Sequence, residues 1–484
     1  MDATSGSASQ ATTTTTKTTE STTTTTTPPP LPITPIAWMP CNGDLQCGSL
    51  VAPLDYSHPQ GPTIAIAVER HLADEPANRI GSLVINPGGP GVSGIDDFAN
   101  ELNVLTPQLL DDFDIVTFDP RGVQRSDPVT CGETPGAEPG PVPDPVPQSP
   151  AAQEATFANM RQFATDCEKA SGAVLPYVGT VEVARDLDRL RQALGDSGLT
   201  YMGQSYGTLL GATYAQLFPM RIRAMVLDSA IDPALSFSQM TSAQADGFEG
   251  VLDSFFTWCA STSSCAWRPA GDPTTNLLAL IARSRTAPAP AGAGRSAGPG
   301  ELYNALLGGL YSESSWPVLG AALASDADGN GTQVVSMSNH YGMDGSSNGA
   351  DAGEAIDCLD HPASKELAAY GQLADVFAES APIFGPLLAW GEAACAVWPI
   401  APTRVPAPAT AQGSPTILVI GTTRDPATPY AWAVNVANEL SRGDLLTVEG
   451  SDHVSYFYSA CVRDDVQTYL VTLATPPVGA TCAD

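Results

Sequence analysis

The chain reads as an α/β protein with a mostly parallel central sheet and a helical segment inserted between two of its strands. Three observations predict this. Short apolar runs, among them Ser82-Leu83-Val84-Ile85, Ile115-Val116-Thr117-Phe118 and Ile417-Leu418-Val419-Ile420, fit strands buried on both faces. Amphipathic stretches between several of these runs give the strand–helix alternation of a parallel sheet. The runs then stop between about 236 and 405 and resume near 415, which marks an insertion.

Fourteen of the first thirty residues are Thr, followed by Pro28-Pro29-Pro30, Pro32 and Pro35. Such a tract has nothing apolar to bury, so 1–36 is expected to be a disordered, semi-extended stalk. The first part of the core, 37–235, opens with two antiparallel lead-in strands near 48–56 and 63–70. Buried strands follow at 81–86 and 114–119, then a helix at 181–194 with apolar positions on one face. The next strand, 199–204, leads through a glycine-flanked serine into a small-residue helix, and 224–228 is a further strand. From 236 to 405, helical segments rich in Trp, Phe, Ala and Leu are broken by Ala/Pro/Gly stretches such as 286–300, the composition of a lid. The second part of the core, 406–484, carries a strand at 415–421, a last strand at 445–448 and a closing helix at 462–473.

Composition narrows the function classes. The 484 residues carry 21 basic and 52 acidic side chains, a net charge of −31 that argues against nucleic acid or an anionic membrane as partner. No stretch has the length and apolarity of a membrane span or a signal peptide. Ten cysteines point to disulfides in an exported chain, and their order suggests local pairs: Cys41–Cys47, Cys131–Cys167, Cys259–Cys265, Cys358–Cys395 and Cys461–Cys482. No Cys-x-x-Cys or His-x-x-x-His spacing supports a metal site, so neither metal nor cofactor is expected. The expectation is a monomer, secreted or tethered at the cell surface, whose targeting segment is not part of this sequence; cytoplasmic residence is the alternative.

The chemistry is carried by Gly203-Gln204-Ser205-Tyr206-Gly207. A Gly-x-Ser-x-Gly turn between a buried strand and a helix holds a serine hydroxyl off the end of a sheet as a nucleophile. A second match, Gly345-Ser346-Ser347-Asn348-Gly349, lacks an apolar strand before it, so Ser205 is preferred to Ser347. A serine needs an imidazole to accept its proton and a carboxylate to orient that imidazole. For this turn the order along the chain is serine, acid, histidine, which leaves out His58 and His71. His340 and His361 fall in the insertion, whereas His453 follows the last predicted core strand, so His453 is the expected base. Asp425 leaves the preceding strand and is the expected acid. Asp228 is the alternative, and Asp452 lies too close to His453 in sequence to orient it. Two backbone N–H groups should form an oxyanion hole: that of Tyr206, and one from Asn86-Pro87-Gly88-Gly89-Pro90-Gly91, with Gly89 preferred to Gly88.

With these residues placed, the sequence from about 40 to 484 resembles the secreted actinobacterial tripeptidyl aminopeptidase and proline iminopeptidase branch of the α/β-hydrolases. The resemblance rests on the glycine loop, Asp119-Pro120-Arg121-Gly122, the Ser205 turn, Phe218-Pro219, Leu227-Asp228, Asp425-Pro426-Ala427-Thr428-Pro429, and Cys461 with Cys482. It implies an α/β-hydrolase fold with a lid, a triad of Ser205, Asp425 and His453, and a peptide substrate entering with its free N-terminus leading. Exopeptidases of this kind hold the substrate ammonium with lid carboxylates; Glu354, Asp357 and Asp360 are the candidates here, a solvated acidic surface being the alternative. The branch also contains carboxylesterases with the same core motifs, so a small ester is the alternative substrate. A non-catalytic binding protein on the same fold is the distant one.

Overall fold

The computed structural model describes residues 1, 2, 6, 31–132, 140–341 and 347–483, so most of the expected stalk lies outside the described residues. In chain order the strands are β1 (Met39–Pro40), β2 (Gln46–Pro53), β3 (Thr63–His71), β4 (Gly81–Asn86), β5 (Phe113–Phe118), β6 (Leu199–Gln204), β7 (Ile222–Asp228), β8 (Ala289–Gly292), β9 (Arg295–Ala297), β10 (Ile417–Thr422), β11 (Gly443–Glu449) and β12 (Thr481–Ala483). Ten of them form one sheet in the order β1-β2-β3-β5-β4-β6-β7-β10-β11-β12, and β8 pairs with β9 alone. The β1–β2, β2–β3 and β3–β5 pairs are antiparallel; every pair from β5–β4 to β11–β12 is parallel.

Every residue of β4, β5, β6 and β10 is buried, as continuous apolar runs require. Successive side chains serve opposite faces. Leu83 and Ile85 pack with Phe98, Leu109, Val466 and Leu470, whereas Val84 packs with Leu187, Leu190 and Leu210. Helices therefore cover both faces: Gly94–Val104 and Ala460–Thr472 on one, Thr180–Leu194 and Tyr206–Leu217 on the other.

Between β7 and β10 the chain forms helices from Phe237–Ser261 to Ala393–Ala396, with the β8–β9 hairpin inside the Ala/Pro/Gly-rich stretch. The first of these helices starts at a Ser236–Gln239 capping box. The helices share a core of their own, in which Phe248, Phe255, Trp316, Phe384 and Trp390 are buried. The long helix Pro150–Ser171, which the sequence reading did not single out, joins this core through Phe157.

One expectation needs correction: the strand at 445–448 is not the last. β12 adds three residues to the sheet edge beyond β11, and the Cys461–Cys482 pair ties it to the closing helix. Three residues are too short a run for a periodicity argument to find. All five expected cysteine pairs stand at disulfide distance, with S–S separations from 1.96 to 2.20 Å.

Parallel pairing has a functional consequence. The segments after β4, β6, β7, β10 and β11 all leave from the same end of the sheet. These are the glycine loop, Ser205, Asp228 with Ser229, Asp425, and His453. In an open α/β sheet the carboxyl ends of the strands are where ligands bind.

Candidate active site

Ser205 sits between β6 and the helix Tyr206–Leu217 at φ 52°, ψ −124°, a conformation that few non-glycine residues adopt. Its neighbours make the turn possible. A Cβ on Gly207 would lie 2.5 Å from the Asn86 carbonyl oxygen, so only glycine lets the helix approach β4 this closely. The Ser205 N–H donates to the Asp228 carbonyl at 3.0 Å, and the Thr208 hydroxyl donates to the Ser205 carbonyl at 2.6 Å. The turn is thus held from both sides while the serine keeps partial exposure.

Asp425 and His453 meet at the ends of β10 and β11. His453 Nδ1 lies 2.9 Å from each carboxylate oxygen of Asp425. That contact puts the Nδ1 proton on the carboxylate side and leaves Nε2 free to accept a proton. Asp425 is 2% exposed and accepts four further hydrogen bonds. The Ala427 and Thr428 N–H groups donate to Oδ1, and the Ser229 and Thr428 hydroxyls donate to Oδ2, all at 2.8–2.9 Å. So many donors satisfy both oxygens of a buried carboxyl group and fix its rotamer. The His453 N–H donates to the Tyr311 carbonyl, and the Tyr311 ring stands edge-on to the imidazole at 5.1 Å. A residue of the insertion therefore holds the histidine.

The competing groups are engaged elsewhere. Asp228 is fully buried and accepts from the Tyr456 N–H at 2.8 Å; burial pushes its carboxyl up to about 7. Asp452 accepts from the Glu313 N–H. His361 stacks on Phe237 beside Arg404, and burial first, then the guanidinium, push it down to about 3. His340 lines a cavity of about 520 Å³ in the insertion with Met337 and Tyr341. His58 pairs with Asp55 on the surface. Ser347 precedes the helix Gly349–Asp360 and accepts from the Gly349 N–H, and Gly345 and Ser346 of its motif lie outside the described residues.

The glycine loop lies against the serine turn. A Cβ on Gly88 (φ 104°) would stand 3.0 Å from the Tyr206 nitrogen and 3.1 Å from Ser205 Cβ. The backbone of Gly88 thus lies beside the Tyr206 nitrogen, whereas Gly89 (φ 107°) folds back on Gly91 and Val92 of its own loop. On its other side the loop meets the helix Gly349–Asp360: a Cβ on Gly91 would clash with the Gly349 carbonyl at 2.3 Å, and one on Gly353 would stand 3.0 Å from the Pro90 carbonyl.

That helix carries the three candidate carboxylates, and the structure separates them. Asp360 accepts from the Thr180 N–H at 3.0 Å and from the Thr180 hydroxyl, which also bonds the Tyr206 hydroxyl. It is fully buried and anchors the helix to the core. Glu354 and Asp357 keep partial exposure. Burial pushes Glu354 up to about 7, and burial followed by repulsion from Glu354 and Asp360 pushes Asp357 well up. Glu354 Oε1 lies 3.3 Å from Cys358 Sγ and 3.8 Å from Cys395 Sγ, so the disulfide forms one wall beside it. The sequence reading missed Ser229 and Thr428. Thr428 was findable as the third residue after an aspartate in a turn, whereas nothing local marks Ser229.

Comparison with known proteins gives the family. The family described as alpha/beta hydrolase fold matches residues 81–270, and the family described as TAP-like protein matches residues 381–482. Serine protease Hip1 of Mycobacterium tuberculosis is 35% identical over 489 residues, covering 93% of this chain and 91% of the relative. Tripeptidyl aminopeptidase of Streptomyces lividans is 32% identical, covering 93% and 86% respectively. Carboxylesterase B of Mycobacterium tuberculosis is 34% identical, covering 90% and 86%. The chain therefore belongs to the α/β-hydrolases, as a serine hydrolase of the branch with a TAP-like C-terminal region.

Proposed function

We propose that the chain is an exported aminopeptidase that releases tripeptides or other short N-terminal units through an acyl-enzyme. Ser205 Oγ attacks the scissile carbonyl carbon while His453 Nε2 takes its proton, and Asp425 orients and balances the imidazolium. The Tyr206 and Gly89 N–H groups stabilise the oxyanion, with Gly88 lining the approach. The tetrahedral intermediate collapses: the C–N bond breaks and His453 gives its proton to the departing amine. Water then attacks the ester with His453 as base, releasing the peptide acid and restoring Ser205.

The observation that carries the peptide reading is the pair Glu354 and Asp357. Both are partly exposed carboxylates on the helix that abuts the glycine loop at Gly349 and Gly353, and burial raises both. Such a pair is costly to ionise without a cation, and a substrate ammonium is that cation. Asp360, held by Thr180, supports the helix rather than the substrate. The insertion 236–405 serves as the lid that closes this end of the chain's active site. The disulfides favour a secreted or cell-surface location.

The deciding comparison runs tripeptidyl and prolyl anilides, with free or acetylated N-termini, beside short p-nitrophenyl esters. Cleavage of the free-amine anilides and rejection of the acetylated ones is the expected result. Ester turnover without hydrolysis of any free-amine anilide would overturn the peptidase reading in favour of a carboxylesterase.

A further inference from the structure

The dipeptide at the end of β7, Asp228-Ser229, touches all three segments that carry the proposed triad. The Asp228 carbonyl accepts from the Ser205 N–H, and its side chain accepts from the Tyr456 N–H in the histidine's loop. The Ser229 hydroxyl donates to Asp425 Oδ2 at 2.8 Å and accepts from the Val454 N–H at 2.8 Å. The direction of the first bond is fixed, because the Val454 N–H can only donate and a carboxylate can only accept. Ser229 is 1% exposed, so water does not supply a substitute for the hydroxyl.

Ser229 also sits at φ 59°, and Val454, its partner, at φ 64°. Left-handed backbone is uncommon for non-glycine residues and strained for a β-branched one. Each strained residue is held by the hydrogen bond it makes with the other. The hydroxyl therefore bridges the acid's carboxylate and the residue after the base, between segments that β10–β11 pairing and the Thr422–Ser455 and Arg424–Ser451 hydrogen bonds already bring side by side.

We propose that Ser229 is a positioning residue of the reaction: its hydroxyl fixes the Asp425 carboxylate against His453 and sets the backbone that carries the imidazole. This rests on the reading of Ser205, Asp425 and His453 as the triad. The step it affects is proton transfer, so it acts on kcat and not on substrate binding.

The test uses Ser229→Gly and Ser229→Ala in the full chain. Glycine adopts the positive φ without strain, so it removes the hydroxyl alone; alanine removes the hydroxyl and keeps the strain. Both variants are expected to lose on the order of 10- to 100-fold in kcat, as for a lost hydrogen bond to a buried charge, with KM within about twofold of wild type. The low-field proton resonance of the His453 Nδ1–H should shift or broaden in both. If Ser229→Ala fails to fold, Ser229→Gly carries the test. Wild-type kcat and an unchanged resonance in Ser229→Gly would overturn the proposal and reduce Ser229 to a backbone role. Fluorophosphonate labelling keeps the two readings apart. A wild-type chain that the probe does not label at Ser205 overturns the triad and this proposal together. A labelled chain with an unaffected Ser229→Gly variant overturns this proposal alone.

Discussion

Asp425 accepts four hydrogen bonds besides its contact with His453, and its consequences are the sharpest. Its donors need an acceptor at both oxygens, so Asp425→Asn keeps the shape and reverses the polarity at one atom. An aspartate in this role costs about 10⁴-fold in turnover when amidated. Asp425→Asn is therefore expected to lose about that factor in kcat on anilides and esters alike, with an unchanged circular dichroism spectrum. Glu354 and Asp357 predict a different signature. Glu354→Gln and Asp357→Asn should raise KM for free-amine peptides and leave ester kinetics unchanged. The pH dependence follows in sign: the ammonium is bound by the ionised carboxylates, and Glu354 is pushed up to about 7. KM for free-amine substrates should thus climb as pH falls through 7, whereas KM for esters stays level; steady-state kinetics at several pH values reads both.

At the scale of elements, the helix Gly349–Asp360 joins the proposed ammonium site to the glycine loop. It abuts the glycine loop at Gly353, is pinned by Asp360 to Thr180, and is stapled to the segment Ala393–Ala396 by Cys358–Cys395. That disulfide closes a sequence separation of 37 residues, for which chain entropy gives about 3–4 kcal/mol of stability. The double variant Cys358→Ala/Cys395→Ala is expected to lose about that much in chemical denaturation. It should raise KM for free-amine peptides more than it lowers ester turnover, because the serine turn lies on the core and not on this helix.

What was legible in the sequence divides along the same line. The Ser205 turn could be read because strand, turn and helix are contiguous, and His453 because only five histidines exist and chain order removes two. Asp425 followed from its place after a buried strand. The fate of Asp360 could not be read, since its partner Thr180 lies 180 residues away. Ser229 was hidden for the same reason: its partners are Asp425 and Val454, and its positive φ is imposed by the strand end and not by its residue type. β12 escaped because three residues carry no period.

For the whole molecule, buried carboxyls set the pH dependence of stability. Burial pushes Glu101 up to about 8, Asp228, Glu249 and Glu354 to about 7, and Asp360 to about 6. The folded chain therefore holds protons that the unfolded chain releases, and stability falls as pH rises through this window. Melting temperature is expected to drop from pH ~5 to pH ~8. Repulsion within a net charge of −31 acts in the same direction but is screened by salt, so the part of the drop that survives high salt belongs to the buried groups.

The sheet's two ends carry one more consequence. β1 is two residues long and β12 three, and each outermost strand is closed by a disulfide, Cys41–Cys47 at one end and Cys461–Cys482 at the other. Each covers part of the longer strand behind it, β2 or β11, and so shortens the free edge on which a neighbouring chain's strand could pair.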